Sequence, residues 1–174
     1  MRTTVVGGVL SAVLVLGCVS GCSSDEPKRD FAVPGQLCGV AVPTAPLSKL
    51  LPASGGKLTV KAPTAGDDLG IVCEVDVDGQ QVLSVERERV GSGRSAWNIA
   101  SYDHRIGQVK SGAGDMIAYV GKAAVSIVPC VQKEQRDNSV STYIQTVKPG
   151  RADESAMKGL ISGYTAALTK QRPC

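Results

Sequence analysis

Hydrophobic and polar positions divide the chain into two unequal regimes. Val5 to Val19 is one apolar run, interrupted only by small residues. Beyond residue 30, short periodic patterns take over. Pro46–Leu51 reads as a short helix, stopped by Pro52 and Gly55-Gly56. Lys57–Ala62 alternates as a strand, and Pro63–Gly70 is a loop. Ile71–Val77 and Gln80–Val90 are strands joined at Asp78-Gly79, a strong hairpin signal. Ser95–Ile106 places Ile99, Tyr102 and Ile106 on one helical face behind a Ser95 N-cap. Ser111–Gly114 reads as a loop. Asp115–Val120 and Lys122–Val131 form a second hairpin around Gly121. Ser139–Val147 is a β-branched strand stopped by Pro149-Gly150. Asp153–Lys170 is the strongest helix, with Met157, Leu160, Ile161, Tyr164 and Leu168 in one stripe. The order α-βββ-α-βββ-α predicts an α+β fold: an antiparallel sheet of about six strands with helices packed on it, and the outline of an α-βββ pseudo-repeat.

The first regime is too short and too rich in glycine for a permanent span, which needs roughly 20 apolar residues. Arg2 ahead of it and small residues behind it fit a secretory signal. Two cysteines stand at its end. Val19-Ser20-Gly21-Cys22 matches the bacterial lipobox better than Val15-Leu16-Gly17-Cys18, because Ser20 is small where Leu16 is bulky. Hydrophilic sequence begins directly after Cys22. The lipobox implies cleavage between Gly21 and Cys22 and a diacylglycerol thioether on Cys22. The expected division is then a signal peptide over 1–21, a tether over 22–30 and one globular domain over 31–174. Extended, Ser23–Asp30 reaches at most about 29 Å, which keeps the domain near the membrane.

That leader changes how the remaining cysteines read. Cys38, Cys73, Cys130 and Cys174 are an even set in an exported chain, which predicts two disulfides. Three connectivities are open. Keeping each bond within one half of the chain favours Cys38–Cys73 and Cys130–Cys174, each contributing roughly 4 kcal/mol in the chain-entropy model. A zinc site is disfavoured, because no CxxC occurs and His104 is the one histidine. Net charge is +3, and loss of Arg2 lowers it by one. No Lys/Arg run exceeds Lys28-Arg29, so a nucleic-acid partner is not expected.

Several motifs imitate chemistry. Ser155-Ala156-Met157-Lys158 spells SxxK, but Lys110-Ser111-Gly112 precedes it, reversing the order that penicillin-binding proteins require. Glu74-x-Asp76-x-Asp78-Gly79 opens like a calcium loop, yet Val85 stands where a closing carboxylate belongs. His104 shares a helical face with Trp97, while Asp103 points about 100° away. No nucleophile motif, cofactor motif or metal set emerges.

With the lipobox, Gly35-Gln36-Leu37-Cys38-Gly39, the Leu50-Leu51-Pro52 helix end, Cys73 in a central strand and the Leu160-Ile161…Tyr164…Ala167-Leu168…Cys174 ending, the chain resembles small lipoproteins of actinobacteria. The resemblance implies architecture and location, not an active site. The leading expectation is a non-enzymatic binding or accessory module, lipid-anchored at Cys22 on the outer face of the cytoplasmic membrane. Its partner there is a protein or a small ligand. Alternatives are a small envelope hydrolase or transferase using His104, Asp103 and Glu74 or Asp76, and a lipid or glycolipid carrier.

Overall fold

A computed structural model describes residues 28–62, 71–132 and 138–174. The leader with Cys18 and Cys22, and the tether up to Pro27, lie outside the described residues, as does the Asp67-Asp68 loop.

The elements run in order β1 (Gln36–Leu37), β2 (Val40–Ala41), α1 (Thr44–Leu50), β3 (Leu58–Lys61), β4 (Ile71–Val77) and β5 (Gln80–Gly91). Next come α2 (Ala96–Asn98), a π-helical turn (Ile99–Asp103), β6 (Lys110–Gly112), β7 (Ile117–Val120), β8 (Ala123–Pro129), β9 (Asn138–Thr146) and α3 (Glu154–Gln171). The fold is α+β, with seven antiparallel strands in the order β3-β4-β5-β9-β8-β7-β6. Two meanders, β3-β4-β5 and β6-β7-β8-β9, meet along the long β5–β9 pairing, Leu83 opposite Thr146 through Gly91 opposite Asn138.

Local sequence explains the joints. Asp78 and Gly79 both have positive φ, 52° and 81°, as a two-residue hairpin turn requires. The register shifts between Val75 and Asp76, whose partners are Leu83 and Gln81. The extra residue, Val82, is a bulge, and Val82 and Leu83 are both fully buried. Helix α3 starts at an Asp153 N-cap, whose carboxylate accepts the Ala156 N–H at 2.8 Å. That bond, then the Ser155 hydroxyl, holds the Asp153 carboxyl below its ordinary range.

Side-chain alternation separates two cores. One contains Val75, Leu83, Val85, Val140, Ile144 and Val128, covered by α1 and the Met157–Leu168 stripe of α3. The other contains Val90, Ala118, Val125 and Ile127, covered by Ala96, Ile99 and Ala100. Neighbouring residues such as Ala124 and Val125 fall in different cores, so α1 and α3 lie on one face and α2 on the other. The expected α-βββ repetition is met only in its first unit, α1-β3-β4-β5: four strands, β6–β9, follow α2, and the helices lie on opposite faces.

Three local expectations change. The helix over Ser95–Ile106 is a short α-turn that widens into the π-turn and ends at Asp103. The loop at Ser111–Gly114 begins as edge strand β6, paired to β7 through Gly112 opposite Ile117. The β1–β2 hairpin has strands too short for periodicity to reveal.

Both disulfides form, Cys38–Cys73 with Cα atoms 5.9 Å apart and Cys130–Cys174 with 5.5 Å. The first ties the β1–β2 hairpin to β4, and the second ties the segment after α3 to the end of β8. Arg29, assigned to the tether from sequence, closes the C-terminal end of α1. Its guanidinium donates to the carbonyls of Ser48 at 2.9 Å, Leu51 at 3.3 Å and Pro52 at 2.6 Å. Arg151 donates to the same end, to Leu51 O at 2.9 Å and Ser48 O at 3.2 Å. Burial first, and the Arg151 charge second, lower the pKa of Arg29.

Candidate functional site

Ser95 caps α2 by accepting the Asn98 N–H at 3.1 Å. The following turn widens, with His104 N–H donating to Ile99 O at 3.1 Å, five residues back. The extra residue in that turn changes which side chains share a face. Trp97 and Tyr102 meet edge-to-face, centroids 5.9 Å apart at 84°, and both are exposed. His104 is carried instead onto Tyr143 of β9, the rings stacked at 3.7 Å and 16°. The expected pairing of His104 with Trp97 assumed an uninterrupted α-helix and is corrected by the π-turn.

His104 and Tyr143 form one wall of a surface groove of about 560 Å³. Arg105, Lys122, Gln145 and Thr146 add to its polar lining, and Gly121 and Ala152 also line it. The Tyr143 hydroxyl donates to Gln145 Oε1 at 2.8 Å. Burial, then the neighbouring Glu86 carboxylate, hold the Tyr143 phenol above its ordinary pKa, so it is a hydrogen-bonding group at neutral pH. Arg105 sits at φ 52° directly after the turn. The groove thus offers a stacked aromatic wall, two cations and an amide. Among the described residues no acidic side chain lines it.

The carboxylates proposed as partners for His104 are used elsewhere. Asp103 pairs with Arg94, with oxygens 2.8 and 3.0 Å from the same Nη2. Asp76 pairs with Lys61 at 2.5 Å, a contact that raises the Lys61 pKa. Glu74 and Asp76 lie on β4, two strands from Tyr143 and so about 10 Å across the sheet. The structure does not assemble His104 with Asp103, Glu74 or Asp76 into an acid–base set.

The other motifs resolve locally. Asp78 turns its carboxylate back to accept the Gly56 and Lys57 N–H groups, at 3.0 and 2.8 Å. Among the described residues no group of three or more His, Cys, Asp or Glu could hold a metal. Ser155 donates to Asp153 at 2.9 Å, while Lys158 lies 5.5 Å from the Tyr119 ring centre, so the SxxK residues serve a helix cap and a cation–π contact. Cys38, Cys73, Cys130 and Cys174 are disulfide-bonded. Cys22 lies outside the described residues.

Tyr143, Gln145, Arg105 and Lys122 were not singled out from sequence. The available signal was parity: in Ser139–Val147, Tyr143 and Gln145 fall on the face opposite Val140 and Ile144. The fold and groove define a disulfide-stapled α+β domain with an aromatic, cationic surface groove. Comparisons with protein-family models, curated proteins and solved structures found no match to this chain.

Proposed function

We propose that the protein is a lipid-anchored binding module at the outer face of the cytoplasmic membrane, attached through Cys22, with the His104–Tyr143 groove as its contact surface. The observation that carries this reading is the pair of disulfides, a feature of oxidising compartments, in a chain whose leader ends in a lipobox. Two acyl chains at Cys22 make a stable anchor, since each buried CH₂ contributes roughly 0.8 kcal/mol. Binding is favoured over hydrolysis because, among the described residues, the groove sets no carboxylate beside His104.

Cell fractionation tests the anchor. The wild-type protein and Cys18→Ala stay with the membrane, and Cys22→Ala is released. Retention of Cys22→Ala overturns the anchor. Cross-linking in intact cells tests the groove: Lys122→Glu with Arg105→Glu abolishes a specific adduct. An adduct pattern that is unchanged, or confined to non-specific neighbours, removes the groove from the account.

A further inference from the structure

A second cavity, of about 400 Å³, opens on the α3 side of the sheet between the two disulfides. Cys38 and Cys174 stand in its wall, Arg87 of β5 lines it from the sheet, and Arg172 lines it from the end of α3. Among the described residues no acidic side chain lines it.

Arg87 follows Leu83 and Val85 on the core-facing side of β5, half-buried at the margin of the core, where the next residue on that side, Arg89, is exposed. The Arg87 Nε is buried without a hydrogen-bond partner. Among the described residues it forms no ion pair. Directly across β9 and β8 from it stand Thr142 and Ser126, whose buried hydroxyls are likewise without a partner. Tyr164 adds a fourth such group from α3. Its phenol is pushed up to about 12 by burial, with the Arg87 charge acting in the opposite direction. A guanidinium nitrogen shielded from water without a partner is costly, so the folded chain gains when an anion accepts from the half-buried Arg87.

The mouth is preorganised. Arg172 is held in a left-handed conformation, φ 51°, two residues before the Cys130–Cys174 bond. Gln171 Nε2 donates to Gly39 O at 2.7 Å, joining the end of α3 to the β1–β2 hairpin, which the Cys38–Cys73 bond fixes to β4. We propose that this cavity binds a small oxyanion, a phosphate or carboxylate group, on the Arg87 guanidinium, with Arg172 completing the site at the rim. The planar guanidinium fork matches either group bidentately. This site lies on the opposite face of the sheet from the His104 groove and does not depend on the function proposed for that groove.

Thermal melts of the full oxidised chain test it, with inorganic phosphate and sodium acetate compared against chloride at equal ionic strength. Phosphate at about 10 mM raises the melting temperature by about 2–4 °C. Acetate raising it too assigns the site to oxyanions in general, and phosphate alone assigns it to phosphate groups. Arg87→Met abolishes the shift and, in chloride, melts no lower than wild type. Arg172→Ala, at an exposed position, keeps the chloride melting temperature and weakens the phosphate titration about tenfold. Three results overturn the site: no shift with either anion, equal shifts in wild type and Arg87→Met, or an Arg87→Met chain that melts well below wild type in chloride. The last outcome means the guanidinium is already satisfied within the chain.

Discussion

The Tyr164 hydroxyl ties stability to pH through one buried atom. The residue is fully buried in the main core, and burial pushes its pKa up to about 12 from an ordinary value near 10. A pKa raised by folding means the protonated form is favoured in the folded state. Its contribution is therefore complete below pH 10 and is lost as pH rises from 10 through 12, by about 2–3 kcal/mol in all. Denaturant melts at pH 9 and pH 11.5 measure this. Wild type loses more stability over that interval than Tyr164→Phe, which has no phenol to ionise. Lys61 and Lys110, whose pKa values are raised by Asp76 and Glu154, titrate in the same window in both proteins, so the difference isolates Tyr164. Parallel losses contradict the burial argument. The place of Tyr164 in the helix stripe was legible in its spacing. Arg87 was not, because Glu86-Arg87-Glu88-Arg89 is an unbroken charge run without a visible inward parity, and the Val82 bulge shifts the phase just before it. His104 was misplaced because nothing in its neighbours' spacing announces a π-turn.

Helices α1 and α3 touch through small residues. A Cβ added at Gly163 would lie 2.6 Å from Pro43 Cδ, and one at Gly159 would lie 3.0 Å from Pro46 Cγ. The proline rings are rigid, so closer side chains force the helices apart. Gly163→Ala adds up to about 1 kcal/mol of helix propensity, and overpacking costs about 1–3 kcal/mol. The clash at 2.6 Å lets overpacking win: urea melts give Gly163→Ala a lower midpoint than wild type, with Gly159→Ala less affected. A raised midpoint for Gly163→Ala contradicts the close helix contact. At this scale the sequence was most informative. The Asp78-Gly79 turn, the β4 boundaries and the α3 stripe could be read because each rests on local chemistry. Strand β6 and the β1–β2 hairpin could not, since three and two residues do not establish a period.

The whole molecule is two meanders joined along β5–β9, with each disulfide confined to one half of the chain. Cys130–Cys174 encloses β9 and α3, with a sequence separation of 44 residues. Replacing both of its cysteines by serine costs about 2–5 kcal/mol, read as a lower urea midpoint, and frees the segment after α3. Stability unchanged by that double substitution contradicts a structural role for the bond. Both disulfides require an oxidising environment, because a reducing one removes them. The location proposed for the protein rests on Cys22. Intact-mass and peptide analysis of the mature N-terminus tests it directly. The account predicts a chain beginning at Cys22 with diacylglycerol on its sulfur. An unmodified terminus at another residue, or a retained leader, contradicts it.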